Sequence, residues 1–114
     1  MKHLNRAQIL GHAGGAPERH QTRDGARTFV TFSVATNLRW KDDAGETRES
    51  TEWHRVVAGG ALADLVEQHV ARGDPVLVEG RLTTRTWEDT AGMERRTTEI
   101  QATDVVFLAR RAAS

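Results

Sequence analysis

Cysteine is absent from the 114-residue chain, which excludes disulfides, thiol catalysis and cysteine-ligated metals and fits a reducing compartment. Net charge is absent as well. Sixteen basic and sixteen acidic residues cancel, so a polyanionic partner would have to be met by a local patch rather than by bulk charge. No apolar run approaches the length of a membrane span or a secretory h-region, and the chain reads as cytoplasmic. Internal repeats, linkers and low-complexity stretches are missing too. The length suits one domain with a single core, small enough that oligomerisation could help it.

The ingredients of catalysis are equally sparse. His3, His12, His20, His54 and His69 are dispersed, with no two at ligand spacing, and read as surface or interface imidazoles. The acid pairs Asp42-Asp43 and Glu88-Asp89 fall in expected loop tips, where solvated turn residues are ordinary. Gly11 to Gly15 is followed by neither Lys-Ser/Thr nor a helix, so it is no phosphate loop, and Ser33 and Ser50 have no evident His and Asp to activate them. The expectation is a protein that is not an enzyme and needs neither cofactor nor metal.

What is present is a pairing of rings with cations. In Thr51-Glu52-Trp53-His54-Arg55-Val56-Val57, strand alternation puts Thr51, Trp53, Arg55 and Val57 on one side and Glu52, His54 and Val56 on the other. Arg81, Thr83, Arg85 and Trp87 repeat the theme on one face of a second segment. Asn37-Leu38-Arg39-Trp40-Lys41 sets the remaining Trp between two cations. Every tryptophan thus has a cation within two residues, where core packing would call for apolar neighbours. A flat ring beside a positive charge suits an unstacked base and its phosphate. Arg supplies fourteen of the sixteen cations, and its guanidinium can stack as well as bond phosphate.

Periodicity supplies the scaffold. A first strand is expected within Met1 to Leu10 from Leu4, Ala7, Ile9 and Leu10, ended by a bend at Gly11 to Pro17. Asp24-Gly25 signals a hairpin leading into Thr28 to Asn37, where Val30, Phe32 and Val34 alternate with Thr31, Ser33 and Ala35. Phe29 falls on the outer side of that pattern, which leaves it either packing under a loop or serving as a further stacking platform. Lys41 to Glu46 reads as an exposed connection. After Val57 the spacing of Leu62, Leu65, Val66, His69 and Val70 predicts a short amphipathic helix, opened after Gly59-Gly60 and stopped by Gly73 and Pro75. Val76 to Trp87, a turn at Asp89 to Gly92, and Arg95 to Leu108 with Ile100, Ala102, Val106 and Leu108 in phase complete the chain. Three strands, one helix and two strands match the all-β, five-stranded Greek-key OB barrel with a helix between strands 3 and 4.

These residues also carry a family likeness. Thr51-Glu52-Trp53-His54-Arg55-Val56-Val57, Glu79-Gly80-Arg81-Leu82, Thr84-Arg85-Thr86-Trp87 and Thr97-Thr98-Glu99 resemble the bacterial single-stranded-DNA-binding protein family, from about Asn5 to Val106. Gly11-His12-Ala13-Gly14 with Pro17-Glu18 resembles the family's first-strand bend, and Ala35-Thr36 with Trp40 its second-strand exit. The resemblance implies base stacking on Trp40, Trp53 and Trp87, phosphate contacts from Arg55 and Arg85, a subunit-interface role for His54, and a homotetramer or paired OB folds. Arg39, Lys41, Arg81 and Arg72 join the expected DNA-binding cations. The implied function is non-catalytic, largely sequence-independent coating of single-stranded DNA in replication, recombination and repair, at the nucleoid.

The chain departs from the family in two places. Gly59 stands where members often carry an aromatic, which removes a platform worth about 1 to 3 kcal/mol. Neutral Ala61 and Thr86 replace family lysines. Members also continue through a Gly/Pro/Gln-rich linker to an acidic tip that recruits replication and repair enzymes, whereas this chain stops at Arg110-Arg111-Ala112-Ala113-Ser114. The expectation is an OB domain over 1–109 and a disordered stub over 110–114, either cut at the core or tailless by nature. The alternative weighed against coating is a primosomal or recombination accessory protein that uses the same face mainly to grip protein partners. An RNA-binding cold-shock type fits the length poorly.

Overall fold

The computed structural model describes residues 1–109, and the 110–114 stub lies outside the described residues. Six strands and one helix follow in the order β1 (Ala7–Ala13), β2 (Glu18–Gln21), β3 (Thr28–Lys41), β4 (Thr47–Gly59), α1 (Gly60–His69), β5 (Pro75–Glu88) and β6 (Glu94–Phe107). The sheet runs β1-β5-β6-β4-β3-β2, and a further β1–β3 pairing closes five of the strands into a barrel. All pairings are antiparallel except β4 with β6, where Val56 lies opposite Ile100 and Val57 opposite Gln101. This is the five-stranded OB barrel that the element order predicts.

One strand more than expected precedes the helix: β1 starts only at Ala7 and runs through Gly11, the expected start of the bend, to Ala13, and β2 follows the bend. β1 pairs with β5 from Ala7 opposite Gly80 to His12 opposite Pro75, and its last residues turn to β3, with Ala13 opposite Val34. Crossing between two neighbours brings backbones close together. A Cβ added at Gly11 would lie 2.2 Å from the Ala35 carbonyl oxygen, so closure here requires glycine. Beyond the bend β2 forms a hairpin with β3 around Gly25, whose φ of 71° meets the demand of the Asp24-Gly25 turn.

Alternation fills the interior with valine. The largest fully buried side chains are Val30, Val34, Val56, Val76 and Val78 on the strands, β-branched groups suited to a pleated surface, and Val66 on α1. Helix α1 closes one end of the barrel with Ala63 and Val66, joined by Val70 just past its end, while Leu65 and His69, expected on this apolar face, are exposed. Arg19 of β2 ties the hairpin to that helix, donating to Glu67 at 2.9 Å and to Asp64 at 2.8 Å. These two carboxylates, Glu67 foremost, hold its guanidinium charged even more firmly than usual.

Two strand predictions need correction. Leu4 and Leu10 face outward at 88% and 62% exposure, and Ala7 and Ile9 alone of that group pack on the core. On β6 the inward series runs Ile100, Ala102, Val105, not on to Val106 and Leu108. The ladder passes from Gly80 opposite Ala102 to Glu79 opposite Asp104, so Thr103 is an extra residue that flips the alternation. Gly80 permits the bulge, since a Cβ there would lie 2.1 Å from the Gln101 carbonyl oxygen.

Candidate nucleic-acid interface

Inward phase on β4 belongs to Val56 and Ala58, so Trp53, Arg55, Val57 and Gly59 point outward. Across the β3 register the same face carries Ala35, Ser33, Thr31 and Phe29. On β5, Arg81, Thr83, Arg85 and Trp87 lie opposite Gln101, Glu99, Thr97 and Arg95, again outward. Three strands therefore bring Trp53 and Arg55 together with Arg85 and Trp87 on one outer surface of the barrel.

Glu99 joins the halves of that surface. It is the one buried acid among the described residues, and a buried carboxylate is costly unless it is paired. The Arg55 Nε donates to its Oε2, and the Arg85 Nε donates to the same oxygen at 3.1 Å. Each guanidinium has further N–H donors to offer a phosphate. The trio keeps one net positive charge, and the arginines remain 41% and 49% exposed.

The indoles are open to solvent, Trp53 at 61%, Trp40 at 45% and Trp87 at 41%. Trp87 is oriented by its own Nε1–H, which donates to Thr97 Oγ1 at 2.8 Å. Trp40 stands apart. It is in phase with Val34 on β3, so alternation assigns it to the opposite face of the β3–β4 hairpin from Trp53. Arg39 pairs with Glu49 at 3.5 Å, and Lys41 closes the strand opposite Thr47, both near the hairpin tip. Arg81 shares the outward phase of Arg85. Arg72 is exposed on the turn after α1, where Gly73 N–H donates to the Ala13 carbonyl, one residue from Gly14 beneath Trp53.

His54 lies in inward phase, half-buried at the barrel end, with Nε2 2.9 Å from Thr36 Oγ1. Among the described residues no three of His, Cys, Asp and Glu are grouped to hold a metal ion.

Sequence reading missed three features. Glu99 belongs to a quoted motif, yet its neutralising role emerges only when β4 and β5 meet on either side of β6. A second omission is a short repeat, Trp-x-Asp-x-Ala-Gly-x-x-Arg, at Trp40 to Arg48 and at Trp87 to Arg95. Both copies fold alike. Asp42 Oδ1 accepts the Ala44 and Glu46 N–H groups while Oδ2 accepts Arg48 Nε at 2.8 Å, and Asp89 treats Ala91, Met93 and Arg95 the same way, the last at 2.9 Å. Each Trp lies directly opposite the Arg of its own copy. Hydrogen bonds from Arg48 and Arg95, then from the turn backbone, hold both carboxyls below the usual aspartate range. The third omission is a groove of about 830 Å³ beside Arg55 and Arg85, lined also by Phe29, His20, Arg27 and Gly59.

Comparison with known proteins identifies the family of the chain. The model of the single-strand binding protein family matches residues 4–108. The chain is similar to single-stranded DNA-binding protein 1 of Chlorobaculum tepidum, 44% identical over 106 residues, covering 92% of this chain and 65% of that one. It is 44% identical over 112 residues to single-stranded DNA-binding protein 1 of Xylella fastidiosa, covering 97% and 82%. The single-stranded DNA-binding protein of Rhizobium meliloti is 40% identical over 99 residues, covering 85% and 56%. This chain therefore spans less than two thirds of the Chlorobaculum and Rhizobium relatives. Among solved structures, the Plasmodium falciparum SSB complex with ssDNA superposes at a TM-score of 0.84 with 32% identity, over 96% of this chain and 98% of that one. By the reach of that family match and the identity of these relatives, the chain belongs to the single-strand binding protein family.

Proposed function

We propose that the protein binds single-stranded DNA with little sequence preference and without turnover, protecting it during replication, recombination and repair. The observation that carries this reading is the shared outer face of Trp53, Arg55, Arg85 and Trp87, with Glu99 accepting from both guanidinium groups on it. A base exposes its faces only when unpaired, so stacking on open indoles itself selects single strands over duplex. Arg55 and Arg85 meet phosphates, Arg39 and Lys41 continue the Trp53 side along the β3–β4 hairpin, and Trp40 takes the strand where it crosses to the other face of that hairpin. Arg81 and Arg72 flank the path. Domain 1–109 is the binding unit, and the protein works at the nucleoid in the cytoplasm.

Homo-oligomerisation is the second part of the proposal. Leu10 lies opposite Leu77, and Leu77 opposite Val106, so three adjacent strands present an outward apolar row. Leu10 is 62% exposed and Val106 40%, and a second copy of the chain would cover them. His54 keeps its proposed interface role at the barrel end, near the opening of the β3–β4 hairpin. A C-terminal acidic tip, where one is present, would add replication and repair proteins as partners.

Titration with oligo-dT tests the reading through the three Trp. Quenching is expected, with log affinity falling against log salt by about 0.7 per phosphate neutralised. Unchanged emission at low salt would overturn it.

A further inference from the structure

The groove beside Gly59 is not explained by the tryptophans. Phe29 and Gly59 are direct cross-strand partners on β3 and β4, so the ring faces a position with no side chain. A Cβ added at Gly59 would meet no atom within 4 Å, which makes that gap open space rather than a packed seam. His20 from β2 stacks on Phe29, with centroids 5.2 Å apart and planes at 27°. Its Nε2, 3.0 Å from Thr31 Oγ1, fixes the imidazole plane. Phe29 takes no part in the hydrophobic core, where its neighbours Val30 and Phe32 are buried. Around it the groove of about 830 Å³ is edged by Arg27, Arg55 and Arg85.

From this arrangement we infer that the groove is a further base-binding slot, with the Phe29 ring, backed by His20, as its platform and the three arginines as its phosphate contacts. The inference rests on the single-stranded DNA reading above and adds to it a subsite that none of the three tryptophans lines. Charge and shape select the occupant. Glu99 also lines the groove and takes one bond from each of Arg55 and Arg85, whose remaining N–H donors face outward beside the flat apolar ring, the pairing of phosphate and base that an unpaired nucleotide offers. The slot lies in outward phase with Arg55, so a strand stacked on Trp53 and following the Arg55–Arg85 pair is led to it.

The test compares oligo-dT affinity of the wild type with Phe29→Leu, Gly59→Phe, Trp53→Ala and the double variant Phe29→Leu/Gly59→Phe. Loss of one stacked base makes Phe29→Leu bind about 5- to 100-fold more weakly. An aromatic offered from Gly59, whose φ of −118° and ψ of 169° any residue adopts, restores most of that loss. Gly59→Phe on its own gains little because Phe29 already fills the slot, and an equal gain with and without Phe29 would mean that the new ring adds a platform of its own and would overturn the slot. If Phe29→Leu weakens binding and Gly59→Phe restores nothing, the slot is overturned. If Phe29→Leu binds like the wild type while Trp53→Ala is weak, the slot is overturned and the general reading stands. If the wild type itself does not bind oligo-dT, both fall.

Discussion

Gly14 lies directly against the indole of Trp53: a Cβ added there would be 2.5 Å from Cζ3 and 2.7 Å from Ser33 Oγ. The most exposed tryptophan is thus seated on the bend of the first strand, three elements earlier in sequence. Gly14→Ala must tilt the indole off that seat. Oligo-dT affinity is expected to fall by part of the about 1 to 3 kcal/mol that a stacked base contributes. Trp53 emission would shift in the free protein, and an unchanged spectrum with unchanged affinity would contradict the contact's role.

Direct removal of the rings should cost the full stack. Trp53→Ala and Trp87→Ala are each expected to weaken oligo-dT binding by about 1 to 3 kcal/mol while circular dichroism stays that of the parent, since neither ring belongs to the core. Arg55→Gln should act differently. It lowers the salt slope by about 0.7 as one phosphate contact is lost. Equal slopes for parent and variant would place the phosphate elsewhere.

Glu99 tests whether arrangement or charge governs the arginines. Glu99→Ala raises the positive charge of the face, so a purely coulombic account predicts tighter binding. Loss of the shared acceptor instead leaves two half-exposed guanidinium groups adjacent and unheld, at a stability cost of about 1 kcal/mol once solvent screening is allowed for. The expected result is a lower melting temperature and weaker, not stronger, oligo-dT binding at moderate salt.

The two hairpin tips give a pH prediction. Asp42 and Asp89 have folded pKa values below their unfolded ones, because Arg48 and Arg95 respectively, then the turn amides, favour the charged form. The stabilisation is therefore complete above the ordinary aspartate pKa and is lost only as pH falls through the lowered folded value. Amide exchange at Ala44 and Ala91 should stay protected down through mildly acidic pH and rise together below it. Asp42→Asn should remove the effect at the first tip only.

Exposed apolar residues provide the last test. Val106→Glu puts a charge in the Leu10–Leu77–Val106 row and is expected to lower the mass seen by light scattering, as is His54→Lys at the barrel end. Unchanged masses at micromolar concentration for both would argue against these surfaces as contacts.

The OB class was legible in the chain because period-2 runs at Val30 to Val34 and Val76 to Val78, a period-3.6 stretch before Gly73, and turn signals at Asp24-Gly25 and Asp89 to Gly92 all report local geometry. The outward phases of Trp53 with Arg55 and of Arg85 with Trp87 followed from the same alternation. A strand pattern fixes which side a residue faces, and nothing more was needed for either pair. Pairing partners are another matter. Glu99 between Arg55 and Arg85, Gly14 under Trp53, the bulge at Thr103 that turned Val106 outward, and Phe29 facing Gly59 each depend on which strand lies beside which, and in what register. Registers are set by the closure of the barrel, a long-range balance of core packing and backbone hydrogen bonds that no window of neighbouring residues contains. The sequence by itself determined the rings, the cations and their sides; the tertiary structure alone decided which of them meet.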